Sequence, residues 1–132
     1  MIQTLWLPIK FPGLNDYVDA NRRNKFVGHN MKEEYTNAVT LLAKKNGITV
    51  KYPVIINFVW QEENSKRDPD NIIFAKKFIL DGLVNAGVLP NDTQKWILGF
   101  SDSWVAQPPK NSKTKGQPNI QVGVLLTIKE II

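Results

Sequence analysis

Three aspartates and the residues around them carry most of the chemistry legible in this chain. Lys66-Arg67-Asp68-Pro69-Asp70-Asn71 follows an apolar run and opens a helix-like one, after which comes Pro90-Asn91-Asp92-Thr93-Gln94. Proline fixes its own φ and biases Asp68 towards an extended backbone. Residues two apart in an extended segment point the same way, so both carboxylates can face one ion. Asp70 also stands at a helix start, where the dipole helps to keep it ionised. Carboxylates of this kind suit a hard, oxygen-ligated Mg²⁺, or Mn²⁺. Composition narrows the field further, because the 132 residues include no Cys and only one His, His29. Disulfides, thiolate zinc sites, iron–sulfur clusters and cysteine nucleophiles are excluded. A multi-histidine metal site would need several subunits, and a Ser–His–Asp triad would rest on His29 alone.

The same acids also suit backbone duties. Asp-Pro-Asp-Asn before a helix is ordinary turn-and-cap chemistry, and Asp92 can serve as a second cap. At ~100° per residue, Phe74, Lys77 and Asp81 share a helix face with Asp70. A lysine on that face can reach a phosphate, or it can simply pair with Asp81 four residues on. Lys76 points about 100° away, and both lysines also read as a solvated stripe. A straight helix of about sixteen residues is ~24 Å long, so the chain must fold back after Gly87 if Asp92 is to share an ion with Asp68 and Asp70.

The elements that must position these groups read as an α+β domain over residues 1–132, with two main helices on one mixed sheet. Thr4 to Phe11 alternates as an edge strand broken by Pro8. Leu14 to Asn30 reads as a basic loop or short hairpin. His29 or Asn30 caps a helix from Met31 to Asn46, closed by Gly47 in the left-handed conformation. Pro53 to Trp60 is a central strand, and Gln61 to Pro69 a loop. A second, largely buried helix runs from Asn71 to Ala86 with Asp70 as its cap. Lys95 to Val105 and Asn119 to Lys129 are further strands, separated by a lysine- and proline-rich loop from Gln107 to Gln117. Trp60, Trp96 and Trp104, in strands, read as core, and His29 as a cap or surface residue.

Seventeen Lys and Arg against twelve Asp and Glu leave a net charge of +5. The basic groups recur in the predicted loops: Arg22, Arg23 and Lys25, then Lys66 and Arg67, then Lys110, Lys113 and Lys115. Such groups suit a polyanion or simply keep the chain soluble. No apolar run reaches the ~18 residues of a membrane span. The N-terminus has no basic region before its apolar stretch, so no signal peptide is expected and a cytoplasmic location is.

The ordered set from Lys66 to Gln94 resembles the core of the RusA-type Holliday junction resolvases. Arg67-Asp68-Pro69-Asp70-Asn71, a helix with Lys77 and Asp81-Gly82-Leu83, and Asn91-Asp92-Thr93-Gln94 match that family's Asp-x-Asp-Asn, Lys-bearing helix and Asp-Asp-x-Gln. A weaker likeness is Pro12 at the end of the first strand, followed by Asn15 and Tyr17. The resemblance implies a Mg²⁺-dependent endonuclease, homodimeric, cutting paired strands of four-way DNA junctions, from a phage or prophage source. Asp68, Asp70 and Asp92 would be the metal ligands and Lys77 the catalytic lysine, with Lys76 in reserve. Arg22, Arg23, Lys25, Lys66, Arg67, Lys76, Lys110, Lys113 and Lys115 would contact the DNA backbone. Two departures stand out: Asn91 replaces the first acid of the usual pair, and three extra residues separate Asn71 from Asp81. A non-catalytic junction- or duplex-binding module is the alternative. A nucleotide-hydrolysing enzyme is disfavoured, because there is no glycine-rich phosphate loop.

Overall fold

A computed structural model describes residues 1–108 and 120–132 of the chain. Alternation of apolar and polar residues makes the sheet. Strand β1 (Ile2–Leu7) pairs antiparallel with β4 (Gly123–Glu130), β4 pairs antiparallel with β2 (Val54–Glu62), and β2 pairs parallel with β3 (Ile97–Ala106). The order β1-β4-β2-β3 makes this a mixed sheet, with β2 and β4 central and β1 on an edge as expected. The architecture is α+β.

One face of the sheet carries the core. Val54, Ile56, Phe58 and Trp60 of β2 alternate inward with Val124, Leu126 and Ile128 of β4 and Leu5 and Leu7 of β1, all of them buried. Against them pack Val39 and Ala43 of α2 (Lys25–Asn46) and Phe78, Ile79 and Leu83 of α4 (Lys76–Asn85). Each of those large side chains contributes roughly 1.5–3 kcal/mol on leaving water. The inward positions of β3 are Phe100, Asp102 and Trp104, opposite Ile56, Phe58 and Trp60. Trp60 is buried, but Trp104 on the edge strand is 41% exposed, so the core expected for it is not formed.

Two expectations for the helices are corrected. Leu14 to Asn30 is neither loop nor hairpin. It forms α1 (Leu14–Arg23) and the first turns of α2, which begins at Lys25 rather than Met31. Asp16 Oδ2 accepts from the Gly13 N–H at 2.8 Å and starts α1, while Tyr17 and Ala20 face the core. Asn24, extended at φ −170°, ends α1 and caps α2 by accepting from the Phe26 N–H at 2.8 Å. His29 and Asn30 lie inside α2. Gly47 closes it at φ 67°, as its position suggests.

The expected helix from Asn71 to Ala86 is two pieces, α3 (Pro69–Ile73) and α4. At their joint the Ala75 N–H bonds to Ile72 O and the Lys77 N–H to Phe74 O, both at 3.2 Å. These i to i−3 bonds tighten the turn and break the continuous α-helical wheel. Asp68, not Asp70, takes the cap position. Proline occupies the first turn, and neither carboxylate makes a capping bond.

α2 and α4 approach closely at Gly82. A Cβ built there lies 2.6 Å from both Cβ and Cγ1 of the fully buried Val39. Gly82→Ala would gain about 1 kcal/mol of helix propensity. Forcing the helices apart costs up to about 3 kcal/mol. The expected net is a loss of about 2 kcal/mol, read from the urea midpoint and largely restored by Val39→Ala in the same chain.

Candidate functional site

The strand-to-helix turn that carries Asp68 and Asp70 is tethered at three points. Arg67 forks onto Glu62 at the end of β2, Nε to Oε1 at 2.8 Å and one terminal nitrogen to Oε2 at 2.9 Å. Its other terminal nitrogen donates to Phe11 O at 3.1 Å. Asn71 Oδ1 accepts from the Asn15 N–H at 3.0 Å, joining α3 to the start of α1, and Ile72 is buried beneath. Lys10 pairs with Glu63 beside the turn, and that bond holds the Glu63 carboxyl below its ordinary range. Asp68, Pro69 and Asp70 remain exposed on this scaffold. The bidentate pair commits the charge of Arg67 to the fold. Lys66 is exposed.

The two lysines differ in their surroundings. Lys77 is exposed and does not pair with Asp81, which instead faces Lys32 of α2 at 3.7 Å. Lys76 is no solvated residue. Its Nζ donates to Asp102 Oδ2 at 2.7 Å and lies 4.3 Å from the Phe100 ring centroid and 5.0 Å from that of Phe58. Trp60 Nε1 completes the node by donating to Asp102 Oδ1 at 2.9 Å. Lys76 thus has its charge committed to an ion pair within the fold. Asp102 was not foreseen, although a carboxylate at an inward strand position is itself a signal of a buried partner.

Asp92 lies elsewhere. Asn91 holds the turn before β3, its Oδ1 accepting from the Thr93 N–H at 3.2 Å, while Asp92 lines a cleft of about 410 Å³ between α2 and α4. His29, Lys32, Glu33, Thr36, Asp81 and Asn85 share that cleft. Among the described residues no three His, Asp or Glu side chains stand close enough together to hold a metal ion. Asp68, Asp70 and Asp92 are therefore not gathered into one group within the chain.

A second hollow, of about 520 Å³, lies beside Arg67 and is lined by Lys10, Phe11, Asp16, Met31 and Tyr35. Burial, and then the charges of Glu34 and Asp16, raise the Tyr35 hydroxyl above its ordinary pKa. It therefore stays protonated, able to donate, at neutral pH. Arg22, Arg23 and Lys25 are exposed together at the α1–α2 corner. Lys110, Lys113 and Lys115 lie outside the described residues. His29 is exposed on α2, its Nε2 3.5 Å from Glu33. Among the described residues no helix is long and apolar enough to cross a membrane.

The chain matches no protein-family model, and no curated protein is significantly similar to it in sequence.

Proposed function

We propose that this chain is a cytoplasmic endodeoxyribonuclease of the RusA type, requiring Mg²⁺ or Mn²⁺ and nicking four-way DNA junctions in recombination and repair as a homodimer. The observation that carries the reading is the exposed Asp68-Pro69-Asp70 turn, held at the end of β2 by the Arg67–Glu62 fork and the Asn71–Asn15 bond. Phosphodiester hydrolysis needs an activated water and charge stabilisation at phosphorus, which carboxylate-bound Mg²⁺ supplies. Asp68 and Asp70 share this turn, while Asp92 lines the α2–α4 cleft, and among the described residues the three are not gathered into one metal-holding group. No catalytic step is therefore assigned to the ion. What the chain's own residues supply is a rigid acidic turn, with Lys66 and Lys77 exposed on either side of it in sequence and Arg22, Arg23 and Lys25 exposed at the α1–α2 corner.

The separation of Asp92 favours a second reading, a module that binds junctions or duplex DNA without cutting. Incubating the purified protein with an end-labelled four-way junction separates the two. Paired nicks in Mg²⁺ that vanish in EDTA support the nuclease. Binding without cleavage in Mg²⁺ or Mn²⁺ overturns it and leaves the binding module. Affinity in either case should fall steeply with salt, as phosphate contacts dictate.

A further inference from the structure

The two edges of the sheet are finished differently. β1 is short, at six residues, and Pro8 follows it directly with Lys10 just beyond. Short strands, proline and lysine are the usual means by which an edge is kept from pairing with another chain. β3 has none of them. It runs for ten residues without Lys, Arg or Pro, and after a bulge at its start its register on β2 is unbroken from Gly99 to Ala106. Only β2 pairs with it, so one row of its N–H and C=O groups has no ladder partner among the described residues.

The side chains along that strand are apolar. Leu98, Phe100, Trp104 and Val105 are 41–53% exposed, whereas β1 leaves only Ile2 in water among its large apolar residues. The one charge on β3, Asp102, is committed to Lys76. In a chain of net charge +5, this edge is therefore a nearly neutral strip. Two copies of so basic a chain repel one another over much of their surfaces, but not here. A neutral strip also offers no charge by which a polyanion or an acidic protein would select it.

A second copy brings the same unpaired row and the same apolar side chains. Antiparallel pairing about a two-fold axis makes every contact twice and keeps the helices of both copies on one side of a continuous sheet. Residues opposite one another in such a pair share a face, so the axis passes through a residue. At Asp102 it would set two carboxylates directly opposite, which is destabilising. At Ser101 or Ser103 it sets serine against serine. The area is sufficient as well. An aromatic side chain buries about 150–250 Å², so the exposed part of each of the four residues is on the order of 100 Å². Two copies bring roughly 800 Å² from these side chains, and the paired backbones carry the total past the ~1,000 Å² expected of a biological interface.

We propose that β3 is the edge by which two copies of this chain join, antiparallel, about an axis at Ser101 or Ser103. That the partner is a second copy rests on the homodimer of the proposed function as well as on the neutrality of the strip.

Sedimentation velocity of the full chain at micromolar concentration, without DNA, tests it. A dimer is expected. Leu98→Lys and Val105→Lys in one chain should raise its dissociation constant at least about tenfold, as charges placed in an apolar interface imply, with an unchanged circular dichroism spectrum. Ile2→Lys, on the β1 edge, should leave the dimer intact. The chain has no Cys, so Ser101→Cys and Ser103→Cys, made separately and oxidised with glutathione disulfide, give a second readout. One of the two should link into dimers, because the paired Cα atoms come within disulfide range, and Thr4→Cys on β1 should not. If the double lysine variant loses its spectrum, the cysteine variants decide alone. A monomer, a dimer undiminished by the two lysines, or linking by neither serine variant overturns the proposal. Growth beyond two copies also overturns it, because the β1 edges would then be pairing. The nuclease reading fails separately. A β3 dimer that binds junctions without cutting them leaves this interface standing, and cleavage by a dimer joined elsewhere removes only the interface.

Discussion

Replacing Lys76 with methionine will destabilise the fold by about 3 kcal/mol, although the substitution keeps most of the unbranched stem and exchanges only the ammonium end for an apolar one. The ammonium and its Asp102 partner are only 15% and 18% exposed, so water does little to replace either. Without the cation, the Asp102 carboxylate keeps just the Trp60 Nε1 bond and stands near the rings of Phe58 and Phe100, between which Lys76 had placed its charge. Aromatic faces attract a cation and offer nothing to an anion. Breaking a buried pair from one side typically costs 3–5 kcal/mol, and the residual exposure places this case at the lower end. The urea midpoint should fall with an unchanged slope, since the native surface stays the same. Asp102→Asn added to Lys76→Met should recover part of the loss, because it removes the stranded charge and keeps an acceptor for Trp60. A loss below about 1 kcal/mol would show that the pair behaves as a solvent-screened surface bridge.

Lys76 also shows where the sequence stops being legible. Its partner lies 26 residues away on a parallel edge strand, a distance that no local rule spans. The central strand β2 was readable because four inward apolar residues alternate in it, and parallel and antiparallel neighbours then cover both of its edges. Gly47 and Gly87, at φ 67° and 78°, marked their helix ends correctly because few other residues adopt that backbone. Residues 14–30 misled because α1 is polar on most of its surface and turns inward only Tyr17 and Ala20. A single residue, Asn24, ends one helix and starts the next, leaving no loop to notice. The joint between α3 and α4 was invisible for a different reason. Apolar spacing continues through Phe74 and Ala75, and only the shortened hydrogen bonds break the helix. For the same reason a wheel drawn from Asp70 to Asp81 assumed one face where the chain has two. The motif acids were legible as residues, and Asp68 and Asp70 as neighbours on a turn. Asp92 was not placeable, because its position depends on how α4 packs on α2.

Asp70→Asn carries the largest expected effect on activity. Asp70 is exposed in the first turn of α3 and makes no capping bond, so losing its charge should change stability by less than about 0.5 kcal/mol. Junction cleavage, in contrast, should fall at least about 100-fold, the scale of removing one preorganised charge from a reacting phosphate's surroundings. Junction affinity in EDTA should hold or rise, because a negative charge beside the phosphates has been removed. That split between binding and cutting is what a folding defect cannot produce. Normal cleavage by Asp70→Asn would overturn the assignment of this turn to the chemistry. Asp92→Asn completes the test, since Asp92 lines the α2–α4 cleft and not the turn. If the turn acts without it, Asp92→Asn cuts at the wild-type rate. An equal loss would instead require a second copy of the chain, or a rearrangement on DNA, to carry Asp92 to Asp68 and Asp70. Mixing Asp70→Asn with Asp92→Asn chains decides between those two. In a shared site, mixed dimers rebuild one intact centre and regain single nicks, whereas rearrangement within each chain leaves both centres dead.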